Sequence, residues 1–123
     1  MTDLAGARIG QIAIVCEDVP RATAFYRDSL GLRFLFAAGP QLAFFDAGGT
    51  RLMLGVAEGD VRGTSALYFS VHDIAAVAAS LAAKGVLFIN VPHVVARMPE
   101  YELWLAEFRD SEGNVLALME ERR

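Results

Sequence analysis

The chain has one cysteine, one tryptophan and two histidines in 123 residues, and each scarcity excludes something. The lone Cys16 rules out an intrachain disulfide and fits a reducing cytoplasm. With only His72 and His93 beside it, no Cys/His spacing reads as a structural zinc site. Cys16 itself is either a reactive thiol or a small hydrophobe buried at a strand end, the commoner fate of a free cysteine. Basic residues are few and scattered: 11 Lys and Arg stand against 15 Asp and Glu, for a net charge of −4, which gives no electrostatic footprint for nucleic acid. Long hydrophobic runs are missing too. The run from Ile9 to Cys16 is far too short to span a bilayer, and no signal peptide is expected. The expectation is a cytoplasmic protein with neither nucleic acid nor membrane as partner.

What is present is a core and a repeat. Hydrophobic residues make up 54% of the chain, enough to expect a single domain over 1–123. Gln11-Ile-Ala-Ile-Val-Cys-Glu-Asp18 matches Ala66-Leu-Tyr-Phe-Ser-Val-His-Asp73 position for position, an apolar strand-like run ending in an Asp able to cap a helix. A helical stretch follows each copy and stops at a glycine three residues before a phenylalanine, Gly31 to Phe34 and Gly85 to Phe88. Each half closes with Phe-x-Asp-x-x-Gly-x-x-Leu-x-Leu, from Phe44 to Leu54 and from Phe108 to Leu118. The repeat offset grows from 55 residues at the first strand to 64 at this last motif, so about ten extra residues, between Ile89 and Trp104, belong to the second half alone. Extra length in a regular fold is expected to be loop.

Asp18, Pro20 and Gly31 predict the first helix; Asp73 and Gly85 bracket the second, on which Ile74, Val77 and Leu81 form one buried stripe. Short Phe- and Leu-rich runs punctuated by Gly39-Pro40, Asp46 to Gly49 and Asp110 to Asn114 predict strands and turns. The organisation is α+β: strand, helix, then about three strands, in two modules covering about 7–57 and 64–120. Each module leaves a sheet face and an edge uncovered, so the two should pair, within one chain or between chains as a homodimer, with a ligand at the seam.

In Ile9-Gly-Gln-Ile-Ala-Ile-Val15, in Asp18 with Ala24-Phe-Tyr-Arg-Asp-x-Leu-Gly-Leu32, in Val71-His-Asp-Ile74 and in Phe108-Arg-Asp-x-x-Gly-Asn-Val-Leu116, the chain resembles the vicinal oxygen chelate superfamily. That superfamily includes glyoxalases, extradiol dioxygenases, methylmalonyl-CoA epimerases and bleomycin- or fosfomycin-resistance proteins. The resemblance implies paired βαβββ modules, each curling into half of a cupped mixed sheet. It also implies a divalent metal in the cup, held from the first and last strands of each module. The matching positions here are Gln11, Met53, Ala66 and Ala117. A metal of this class needs about three imidazole or carboxylate donors, and none of the four supplies one. The expectation is therefore no metal and no cofactor.

Strand alternation groups Gln11 with Ala13, Met53 with Arg51, Ala66 with Tyr68 and Ser70, and Ala117 with Val115 and Met119. By the resemblance this face lines the cup. Such a mainly apolar lining with a few polar points suits a small apolar or aromatic ligand, with Arg51 either holding an anion or solvated at a strand edge. Trp104 reads as a ligand contact or as core or dimer interface. His93, Tyr101 and Glu107 are the candidates for proton transfer in a metal-free isomerase, epimerase or lyase. Glu107 shares a strand with Trp104, Ala106 and Phe108 but points to the other face. Outward is the cheaper orientation for it, because burying an unpaired charge is costly. Three functions follow: a small-molecule-binding protein, a metal-free proton-transfer enzyme, and a metal-dependent glyoxalase or dioxygenase, which the donor positions oppose. A purely structural dimeric module is a fourth.

Overall fold

A computed structural model describes residues 5, 9, 11–56 and 66–123, which form two sheets and two helices. The module ends expected near 7, 57 and 64, and Gly10 of the first motif, lie outside the described residues. The first half runs β1 (Gln11–Cys16), α1 (Val19–Ala24), β2 (Arg33–Ala37), β3 (Leu42–Ala47) and β4 (Thr50–Val56). Its sheet has the order β1-β4-β3-β2, with β1 parallel to β4. The second half runs β5 (Leu67–Ser70), α2 (Ile74–Ala83), β6 (Leu87–Phe88), β7 (His93–Arg97), β8 (Glu102–Arg109) and β9 (Val115–Arg122). Here the order is β5-β9-β8-β6, with β5 parallel to β9 and β7 also paired to β8. The two halves are the two βαβββ-like modules that the repeat predicts.

The local signals act as their chemistry dictates. Asp18 accepts the Arg21 N–H at 2.9 Å and Pro20 sits in the first turn, where its missing donor is not needed. The helix continues into a π-helical turn, Phe25–Ser29, and ends at Gly31, whose φ of +74° favours a residue without Cβ. Asp73 caps α2 by accepting from Ala76 at 3.2 Å while holding a left-handed φ of 54°, tolerated by Asp because its short side chain bonds locally.

One expectation is corrected. The extra residues of the second half are not a loop: they build β7 and lengthen β8, so the outer edge of β8 is paired by two short strands instead of one. Between those strands the ladder would leave the Glu107 N–H bare. Asn90 fills the gap by accepting that N–H at 2.7 Å and donating to the Glu107 carboxylate at 3.0 Å.

Core side chains come from the helix-facing side of both sheets. Ile14, Phe45, Leu52 and Leu54 from the first and Phe108, Leu116 and Leu118 from the second pack with Val19, Ala22, Ile74, Ala78 and Leu81 of the helices into one cluster. Of the predicted stripe on α2, Ile74 and Leu81 are buried and Val77 is half-buried against the cluster.

Three polar ties cross from one half to the other. The fully buried Tyr26 donates to Asp110 at 2.7 Å; Asn114 donates to Asp110 at 2.9 Å and to the Val15 carbonyl at 3.0 Å. Burial, with the neighbouring Asp110 carboxylate, pushes the Tyr26 hydroxyl well above the usual range, so it stays a donor. Glu112, in the turn between β8 and β9, accepts the N–H groups of Glu17 and Asp18 and pairs with Arg21 at 2.7 Å, anchoring the start of α1. Burial, with the acidic residues of these ties, pushes the Cys16 thiol up to about 11, so Cys16 is the inert, buried hydrophobe of the two readings above.

Candidate functional site

The face of each sheet turned away from the core carries the expected site residues. On the first sheet Gln11 and Met53 meet, Nε2 to Sδ at 3.7 Å, and Arg51 donates from Nε to the Gln11 side-chain oxygen at 2.7 Å. Register explains this, because Gln11 lies opposite Arg51 and Ala13 opposite Met53 across the β1–β4 ladder. The Arg51 guanidinium sits 5.3 Å from the ring of Phe44, which stacks on Phe36 at 4.6 Å and 25°. Phe36 is 47% exposed, so a flat aromatic surface, edged by one cation and one amide, faces outward.

On the second sheet Tyr68 lies opposite Ala117, and Ala117 opposite Glu107. These three form one row across β5, β9 and β8, about 5 Å apart from strand to strand. Ala66 stands one position before β5 and is exposed. Glu107 therefore shares the cup face of Ala117 and Met119, while Trp104, Ala106 and Phe108 take the core side; the outward orientation expected from the cost of burial is corrected, because Asn90 supplies the carboxylate with a partner. Its carboxylate is partly buried and carries the Asn90 amide as partner.

The remaining candidates do not converge. His93 starts edge strand β7 opposite Leu105, on the Glu107 face, and its Nδ1–H donates to the Val91 carbonyl at 2.7 Å. The two are diagonal neighbours but each is held by another partner, His93 by the Val91 carbonyl and Glu107 by Asn90. Tyr101 precedes β8, six residues from Glu107 and hence about 20 Å along the strand. Its ring lies 5.9 Å from the Arg123 guanidinium. Trp104 faces the helix side with Arg122 4.2 Å over its ring, so it cannot contact a ligand shared by Tyr68 and Ala117. The segment expected to be loop is largely strand, and alternation and length disperse the side chains of His93, Tyr101, Trp104 and Glu107. His72 is exposed beside the α2 cap.

The donor set does not fit the divalent metal that the fold implies. Gln11 and Met53 satisfy each other and Arg51, the alanines have no donor, and among the described residues no three His, Cys, Asp or Glu side chains gather.

At the seam between the halves lies a cavity of about 440 Å³, bounded by Ile12, Thr50 and Leu52 on one side and Leu67, Tyr68 and Ser70 on the other. Of the expected ligand contacts, Tyr68 reaches it. Phe36, Phe44 and Asn90 are the site residues that sequence reasoning missed. Phe44 had a readable signal, since alternation from Met53 through the β3–β4 turn places it on the same face; Phe36 did not, because a register shift between Phe34 and Phe36 turns it onto that face against the alternation.

Comparison with known proteins agrees with this architecture. YraH of Bacillus subtilis (strain 168), an uncharacterized protein, is 28% identical over 123 residues, covering 88% of this chain and 94% of that one. Among solved structures, lactoylglutathione lyase from Agrobacterium tumefaciens superposes with a TM-score of 0.71 at 22% identity, over 94% of this chain and 95% of the other. TnmS3, an antibiotic binding protein from Streptomyces sp. CB03234, gives 0.76 at 21%, over 97% and 99%. At these identities the likeness is one of fold. The sequence profile of the Glyoxalase/Bleomycin resistance protein/Dioxygenase superfamily matches residues 8–118, and the chain belongs to that superfamily.

Proposed function

We propose that the protein binds a small apolar or aromatic molecule in its cup without a metal, as a carrier or sequestering protein. The observation that carries this reading is the exchange of donors for an aromatic platform. Where a metalloenzyme of the fold needs imidazole and carboxylate, this chain has Gln11, Met53, Ala66 and Ala117, and beside them the exposed Phe36–Phe44 stack with Arg51 at its edge. A planar ring stacks on Phe36, its anionic or carbonyl edge meets Arg51 or Gln11, and Tyr68 closes the far side. The likeness in fold to an antibiotic binding protein supports the class of activity.

The cup faces of both sheets are open in one chain, and Phe36 and Tyr68 are large side chains left exposed there. A second copy would cover part of this surface and complete the cup, so the proposal includes a homodimer. The single buried thiol fits a reducing, cytoplasmic setting.

The test is a thermal-shift screen of aromatic carboxylates, quinones and polyketide-like drugs, followed by native mass spectrometry of the purified protein. A binder stabilises the wild type, and Arg51→Met and Phe36→Ala remove most of that stabilisation. A screen in which nothing shifts the melting temperature, with no organic mass retained, rejects the reading. Proton transfer by Glu107 is the second reading, supported by a carboxylate held on the cup face by Asn90. Turnover of any stabilising ligand, abolished in Glu107→Gln with binding intact, would replace the first reading by this one.

A further inference from the structure

On the side opposite the cup, α2 covers the second sheet incompletely. The helix presents Ala75, Ala79 and Ala82 where larger side chains would fill the space above β8, and a groove of about 530 Å³ remains. Its floor is Trp104 and Phe88, its rim Pro92 and Arg122. This volume is in the range of small-molecule sites.

Arg122 gives the groove its chemistry. The guanidinium lies 4.2 Å over the Trp104 ring, and one nitrogen donates to Glu120 at 3.3 Å. Among the described residues it has no other partner, and the side chain is 41% exposed, so the rest of its fork of donors is open at the mouth. Glu120 does not cancel the cation alone, because its carboxylate also accepts the Ile74 N–H at 2.9 Å, at the positive end of α2. That helix end offers no competing anion site: Glu120 takes Ile74 and Asp73 takes Ala76. An arginine held over an indole, above an apolar slot with one alanine wall, is suited to a planar molecule ending in an anion.

We propose that this groove is a second binding site, separate from the cup, for a flat aromatic molecule bearing one anionic group. The rings enter between the alanines of α2 and the Trp104–Phe88 floor, and the anion takes the open donors of Arg122.

The sequence contains a single tryptophan, on the floor of this groove, so energy transfer has one indole donor and the variants below place the dye. The probe is 1-anilinonaphthalene-8-sulfonate, whose fused rings and sulfonate match the class. The expected result is saturable energy transfer from Trp104 to one dye per chain, with near-UV circular dichroism unchanged. Ala79→Phe and Ala82→Phe, both at exposed helix positions, fill the groove and weaken binding about tenfold or more. Arg122→Gln, which loses the charge-assisted contact, weakens it by about tenfold. Arg51→Met, on the other face, leaves it unchanged. Three results would overturn the proposal. Loss of transfer in Arg51→Met with the groove variants unaffected puts the dye in the cup. Indifference to Arg122→Gln removes the anionic class. Acrylamide unable to quench Trp104 in the dye-free protein means that the chain or a second copy already covers the groove. A failed cup-ligand screen touches none of these readouts.

Discussion

Glu112→Gln is the substitution that best measures what holds the two halves together. The carboxylate is 2% exposed, and it accepts from Glu17 N at 2.9 Å, Asp18 N at 3.1 Å, Arg21 Nε at 2.7 Å and Nη2 at 2.9 Å, and Ser111 Oγ at 3.0 Å. The Arg21 guanidinium, helped by the backbone N–H groups, holds this carboxyl down to about 2 against the opposing effect of burial. Relative to the ordinary glutamate range, that depression corresponds to about 3 kcal/mol of linked stability. Arg21 is 52% exposed, so solvent screening reduces the contribution to about 2 kcal/mol. Because the folded value lies below the unfolded one, the contribution is complete above about pH 5 and drains away as pH falls toward 2. Urea unfolding of wild type and variant at pH 7, 5.5, 4 and 3 checks it. The expected gap is about 2 kcal/mol at the two higher values, shrinking to about half near pH 3. A gap that is equally large at every pH would mean that the charge is irrelevant and only packing is lost. No gap at pH 7 would mean that the anchor of α1 is decorative.

Tyr26→Phe removes one donor from the buried Asp110 carboxylate and leaves Asn114 in place. The expected loss is about 1.5 to 3 kcal/mol by urea unfolding, and a loss under about 0.5 refutes the tie. Asn90→Ala strands the Glu107 N–H at the gap between β6 and β7. It should lower stability by about 1 to 3 kcal/mol and speed hydrogen exchange at that amide selectively. Zinc, nickel or manganese in excess leaves the melting temperature of the protein unchanged. A rise of several degrees that a chelator reverses would show that the donor argument is wrong.

The repeat makes most of the architecture legible in the sequence, because duplicated capping residues, glycines and alternating apolar runs each act locally. Asp18 and Asp73 cap where their chemistry says they should, and Gly31 stops the first helix with a positive φ. The extra segment was misread for a tertiary reason: whether residues between Ile89 and Trp104 are strand or loop depends on β8 offering an edge, which no local signal encodes. The same holds for the site. Period-two alternation groups Gln11 with Ala13 and Met53 with Arg51, and only the family resemblance joins the two strands' faces, where Gln11 and Met53 meet; Glu107 is oriented only by its partner Ala117. Trp104 belongs to the helix side for the same reason.

The ties of Tyr26 and Arg21 to the β8–β9 turn also bear on how the duplicated halves have drifted apart. In the repeat, Gly48 and Thr50 occupy the places of Glu112 and Asn114. The second half can therefore anchor the helix of the first, while the first has no carboxylate there to return the service to α2, whose first N–H is met by Glu120 of its own half. The halves are no longer interchangeable. An excised first half would lose the group that satisfies the start of its helix, and two fused copies of it would lack that group twice. Two fused copies of the second half would carry the anchoring turn in both positions, and any attempt to rebuild a symmetric ancestor of this fold from the chain should start from that half.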